Sequence, residues 1–315
     1  MSESHLILGI GELLWDVLPE GLRLGGAPAN FTVMAGRLGN HAAILSRVGR
    51  DELGQAAIEL VDSLPVDASS VQIDSEQETG RVTVEFAEGQ PGYTIHRPAA
   101  WDFMELSDDW VRLAARADAI CFGSLAQRSE ISRQTIQTLV AESRATCVRV
   151  FDVNLRAPFY SSEVLEESLE LATVVKMNDA EVPLVLDLLD LEVRASERDA
   201  AADAATLSEG GARLLKEFPT LQLVAITRGG QGSVLVRREE WHEHPGVPAK
   251  LADTIGAGDA FTAAITHYLL QGASLAVLNE AGNRWGSWMA SQSGAMPALP
   301  DETRKRIAAA IDAVD

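Results

Sequence analysis

The chain has 315 residues, of which 46% are hydrophobic and 23% charged, the balance of a globular protein long enough to bury a full core without disulfide or metal staples. Its 26 Lys and Arg are set against 46 Asp and Glu, for a net charge of −20. No basic patch interrupts that acidity, so neither nucleic acid nor an anionic membrane surface is expected as a partner. The start, MSESHLILGIGELLWD, lacks a basic segment followed by a long apolar core, and no run of about 18 apolar residues occurs, so the expected compartment is the cytoplasm.

In chain order, LILGIG (6–11) reads as a buried strand, GGAPANFTVMAGRLG (25–39) as a glycine-rich turn opening a helix, and AAILSRVG (42–49) as a second buried strand. Helical spacing follows at 53–64. Residues 81–97, RVTVEFAEGQPGYTIHR, alternate instead: Val82, Val84 and Phe86 share one face, and Tyr93, Ile95 and Arg97 come into phase after the turn at EGQPG. That is a β-hairpin pattern. Beyond it, AICFG (119–123), VRVFDVN (148–154), TVVKMN (173–178) and LVAIT (223–227) read as strands buried on both faces. Helical patterns lie between them at 129–145, 161–171, 179–190 and 206–217, and a last one at 257–271 is stopped by Gly272. Such alternation predicts an α/β fold: a doubly wound, mainly parallel sheet flanked by helices, with a small hairpin excursion.

Cys121 and Cys147 fall in apolar runs and read as free thiols of a reducing compartment. No zinc-type spacing is present, and His242 and His244 are expected at the surface. Residues 161–209 carry 13 acidic and 3 basic side chains, read as a solvated helical face.

Two segments point to chemistry. In DTIGAGDAFTAA (253–264), Gly256, Ala257 and Gly258 are small enough for their backbone N–H groups to converge on one anion at a helix N-terminus. Asp259 stands in the first turn beside that anion site, where a carboxylate can serve as a base. In the other segment, Gly25 and Gly26 precede a helix whose first turn holds Asn30. Neither segment matches the dinucleotide fingerprint or the Walker phosphate loop.

Together the segments resemble the two signatures of the ribokinase-like sugar kinases of the phosphofructokinase B family, in the right order and covering essentially residues 5–314. The resemblance implies one kinase domain over 1–315, with a lid from about 12–26 and 79–102. It implies Asp259 as catalytic base and Gly256, Ala257 and Gly258 as the anion hole. Asp16, Gly26, Asn30, Arg97 and Arg156 match acceptor contacts. Asn178, Thr227, Gly229, Gly232 and Asn283 match nucleotide-side positions. Glu181 matches a residue that organises Mg²⁺ through water, and Asp253 with the Ile255 carbonyl matches part of a monovalent-cation shell, such as K⁺. The implied ligands are ATP, Mg²⁺ and a sugar, and the lid implies a homodimer. GELLWDVLPEGLRLGGAPAN is most similar to fructokinases, whereas DVNLRAP with its arginine is shared with 2-keto-3-deoxygluconate kinases. A nucleotide-binding oxidoreductase would need a third glycine after GIG, and a non-catalytic sensor would have no use for Asp259.

Overall fold

The apolar runs form strands buried on both faces, as their lack of alternation requires. The computed structural model describes residues 4–87, 90–194 and 202–314. The first part of the chain forms β1 (Leu6–Ile10), β2 (Leu14–Leu18), β3 (Gly21–Gly25), helix α1 (Ala27–Arg37), β4 (His41–Leu45), β5 (Arg47–Gly49), α2 (Glu52–Asp62) and β6 (Gln72–Asp74). Then come β7 (Gly80–Ala87), β8 (Gln90–Ile95), α3 (Asp108–Ala114), β9 (Ala119–Gly123), α4 (Glu130–Ala141), β10 (Val148–Asp152), α5 (Ser162–Leu171), β11 (Val174–Asn178) and α6 (Glu181–Leu188). The last part adds α7 (Ala204–Glu217), β12 (Leu223–Thr227), β13 (Ser233–Val236), β14 (Trp241–His244), α8 (Ala257–Leu270), α9 (Leu275–Ala290) and α10 (Asp301–Ile311).

Among the described residues, eight strands make one sheet in the order β14-β13-β12-β11-β10-β9-β1-β4. It is parallel from β12 to β4, with β13 and β14 antiparallel at one edge. The two-residue pleat sends neighbouring side chains into opposite cores. Leu8, Phe122, Phe151 and Val175 pack with the side chains of α4–α7, while Ile7, Cys121, Val150 and Val174 pack with α1, α8, α9 and α10. Cys121 and Cys147 are buried free thiols, as expected.

The segment 42–49 is two strands rather than one. Arg47 cannot follow Leu45 into the apolar sheet, so the chain turns at Ser46. There β5 pairs with β6, and the Arg47 guanidinium lies 2.8 Å from Asp74. His244 is not a free surface group, since it meets Glu280 at 2.7 Å and is largely buried.

The hairpin forms with the expected register, Val82 opposite Ile95 and Val84 opposite Tyr93. Its predicted turn at Glu88 and Gly89 lies outside the described residues. The hairpin does not stand alone: β7 runs parallel to β2, giving a second, four-stranded sheet in the order β3-β2-β7-β8. Residues near 12–26 and 79–102 are thereby joined into one structure over the end of the main sheet.

Candidate active site

In an open α/β sheet, ligands gather at the carboxyl ends of the strands, where the loops diverge. Here those ends bring Glu12 (after β1), Asp152 (β10), Asn154 and Arg156 (after β10), and Lys176 (β11) to the same region. They meet the N-terminal turns of α1 and α8, and β2, β7 and β8 supply Leu14, Asp16, Leu18, Val82 and Ile95. The result is a cavity of about 530 Å³.

Its floor joins residues from the two ends of the chain. Asn30 in the first turn of α1 donates from Nδ2 to Asp259 Oδ2 at 2.8 Å, a contact across 229 positions of sequence. Both side chains are buried. Helix α8 is preceded by Gly256 in the left-handed region (φ 77°) with no side-chain cap; the Ala257 N–H bonds the Thr254 carbonyl at 3.3 Å, and the N–H groups of the following residues face the site as a ready anion cradle. A Cβ at Gly258 would come within 2.9 Å of Lys176 Nζ, so this turn lies directly on the lysine's ammonium group.

Lys176 is buried below this turn, 3.1 and 3.3 Å from the two Asp152 oxygens. Thr262 Oγ1, one turn along α8, also donates to Asp152. Burial works against the lysine's charge, but Asp152, Glu181 and Asp259 outweigh it and hold its pKa above the ordinary value. Burial, aided by the nearby Asp152 charge, pushes Asp259 up to about 7, against the pull of Lys176 and the Asn30 hydrogen bond. A carboxyl poised there can take a proton near neutral pH.

On the opposite wall, Asp16 is raised by burial and drawn back by Arg156 and Arg23. Gly26 (φ 111°) abuts Glu12 so closely that a Cβ would fall 2.2 Å from the Glu12 carbonyl oxygen. Glu12 Oε1 accepts from the Ala27 N–H at 3.1 Å and so caps α1. Burial is the main reason its pKa rises to about 7.

Arg97 is placed elsewhere. Strand β8 ends at Ile95, so Arg97 leaves the face that Ile95 presents to the cavity. It stacks on Phe159, 5.6 Å from the ring centre, and lines a separate cavity of about 660 Å³ with Arg128 and Arg133. Arg156 does line the site.

The nucleotide-side positions lie on the neighbouring strand ends. Asn178 and Thr227 are directly paired across β11 and β12. Asn178 and Glu181 form a reciprocal cap: Asn178 Oδ1 accepts from the Glu181 N–H, and Glu181 Oε2 accepts from the Asn178 N–H at 2.8 Å. Glu181 Oε1 also takes the Leu155 N–H, so each carboxylate oxygen accepts one backbone hydrogen bond and keeps a further lone pair for water or an ion. Gly229 stands in an open turn, whereas Gly232 has a packing reason, since a Cβ there would fall 1.9 Å from the His244 carbonyl oxygen. Asn283 donates to Ser233 Oγ and to the Asn279 carbonyl, inside a buried seam between α9 and β13. Asp253, matched to the implied cation shell, is bridged by Arg23 at 2.9 Å and also accepts the Ile255 and Gly294 N–H groups.

The pattern of the pfkB family of carbohydrate kinases matches residues 20–302, which hold both signatures and the Asn30–Asp259 junction. The chain belongs to this family. A sugar kinase of Pyrococcus horikoshii, PH1459, is 32% identical over 277 residues, 82% of this chain and 81% of its own. The fructokinase of Escherichia coli is 30% identical over 321 residues, covering 92% and 95%. The crystal structure of PH1459 in complex with ATP superposes with a TM-score of 0.77 at 27% identity, covering 96% of this chain and 99% of the other. The pfkB assignment accords with the mainly parallel sheet and its flanking helices.

Sequence reasoning missed Glu12, Asp152 and Lys176 as site residues. The signal was there in part: a lysine and an aspartate in strands read as buried, VVKMN and VRVFD, call for a mutual partner.

Proposed function

We propose that this carbohydrate kinase transfers the γ-phosphoryl group of ATP to a hydroxyl of a hexose, and that the acceptor is D-fructose, giving fructose 6-phosphate. The observation that carries the reading is the buried Asn30–Asp259 contact in a cavity lined by the uncapped start of α8. Asp259 takes the proton of the acceptor hydroxyl as that oxygen attacks the γ-phosphorus and ADP leaves. The Gly256–Ala257–Gly258 turn donates backbone N–H groups to the transferring phosphoryl oxygens, where charge develops. Asp16, Asn30 and Arg156 hold the sugar. The nucleotide lies along Asn178, Thr227 and the open turn at Gly229. Mg²⁺ carried on the phosphates would offset their charge; no carboxylate of this chain is assigned to it directly. The four-stranded sheet closes over the sugar as a lid and excludes water from the phosphoryl group. Fructose is favoured over other hexoses by the likeness to the Escherichia coli fructokinase over nearly the whole of both chains.

The test is ADP release over a panel of ketoses, aldoses and keto acids, with wild type and Asp259→Asn. Fructose-dependent turnover is expected, and robust turnover with 2-keto-3-deoxygluconate instead would reassign the acceptor. Asp259→Asn retains the shape and the Asn30 neighbour but loses the proton acceptor, so kcat should fall about 10²–10⁴-fold with ATP and sugar affinity far less changed. Near-native turnover in that variant would remove Asp259 from the mechanism.

A further inference from the structure

Glu12 is 4% exposed and lines the acceptor cavity. Oε1 accepts the Ala27 N–H, whereas Oε2 is buried with no hydrogen-bond partner among the described residues. Asn30, one helical turn beyond Ala27, shows the complementary gap. Its Nδ2 is engaged by Asp259, which fixes the amide orientation when Asp259 is ionised and only accepts, and its Oδ1 is buried without a partner among the described residues. Buried polar groups left unmatched in the protein are costly unless a ligand meets them. A neutral carboxyl at Glu12 would have an O–H donor available, and Asn30 Oδ1 an acceptor. A hydroxyl is the simple ligand group that does both, accepting from one and donating to the other.

We propose that Glu12 is a further acceptor-binding residue of this kinase, using a protonated Oε2 to hydrogen-bond a sugar hydroxyl that in turn donates to Asn30 Oδ1. Oε1 meanwhile holds the Gly26–Ala27 turn, so one side chain both shapes the site and binds in it. The charged groups that share the cavity are Asp16, Arg156, Lys176 and Asp259. Burial raises Glu12 to about 7, and the Asp259 charge adds to the rise while Arg156 opposes it. The phosphates of a bound nucleotide would favour its neutral form further. The inference rests on the sugar-kinase reading, and wild-type turnover across the sugar panel reports on that reading separately from the variants.

The experiment measures KM for the best sugar of the panel and KM for ATP in Glu12→Met and Glu12→Gln, with sugar binding by calorimetry and melting curves on each protein. Met preserves the bulk but neither hydrogen bond, and should weaken sugar binding about 10- to 100-fold, the loss of one buried polar contact with its partner left unmatched. KM for ATP should change less than about threefold. Gln has an amide oxygen for the Ala27 N–H and an N–H donor in place of the carboxyl O–H, so it should recover at least tenfold of the lost sugar affinity. Two results overturn the proposal: Met with wild-type sugar affinity in a folded protein, or Gln no better than Met although both melt like wild type.

Discussion

Replacing Lys176 by methionine removes the buried cation that sits between Asp152 and the start of α8. The lysine and aspartate side chains are 9% and 6% exposed, and they lie 3.1 Å apart. Breaking a buried pair by deleting one partner costs about 3–5 kcal/mol, because the remaining charge is stranded. Unfolding 315 residues carries an entropy of roughly 0.7 kcal/mol/K, so the melting temperature should fall by about 4–8 °C. A second consequence runs through Asp259, already near 7, which Lys176 pulls down and Asp152 pushes up. Without the lysine, the Asp259 pKa rises further, and the acid limb of the pH–rate profile shifts to higher pH. A rise of one unit would leave about a tenth of Asp259 ionised at pH 7, against about half before. The double variant Lys176→Met/Asp152→Asn removes both opposing influences, so its melting temperature and its acid limb should return towards wild type. Melting curves, with kcat/KM from pH 5.5 to 9, decide the matter. A single variant that melts like wild type, or whose acid limb moves to lower pH, would refute the reasoning.

Arg156 lines the acceptor cavity while Arg97 stacks on Phe159 outside it, so Arg156→Ala should raise KM for the sugar several-fold more than Arg97→Ala does. Equal effects would show that Arg97 swings into the site when the lid closes. His267 is buried between Asn40 and Gln271, and burial lowers its pKa to about 4. The unfolded chain therefore binds a proton that the folded one does not, and the stability of this site is lost as pH falls from about 6.5 to 4, by up to about 3 kcal/mol. In denaturant titrations, the advantage of wild type over His267→Gln should shrink over that interval; a constant difference would mean that His267 is protonated in the fold.

What the sequence determined by itself was carried by local patterns. Continuous apolar runs flanked by helical spacing suffice for a doubly wound sheet, because a strand covered on both faces has no polar side to alternate. The small residues at 256–258 with Asp259, and the glycine pair before Asn30, were legible because backbone conformation and chain ends restrict which residues fit there. Only the tertiary structure decided who meets whom. The Asn30–Asp259 contact joins positions 229 apart, and no periodicity encodes such a pairing. Lys176 and Asp152 pass unremarked inside strands read as buried; only when β10 and β11 lie side by side does each become the other's counter-charge. Arg97 was in phase with Ile95 by alternation, but strand β8 ends at Ile95 and the rule ends with it. The partners of Asp253 and Glu181 are backbone N–H groups and an arginine from other elements, donors that every sequence contains and that only folding brings within reach of a particular carboxylate.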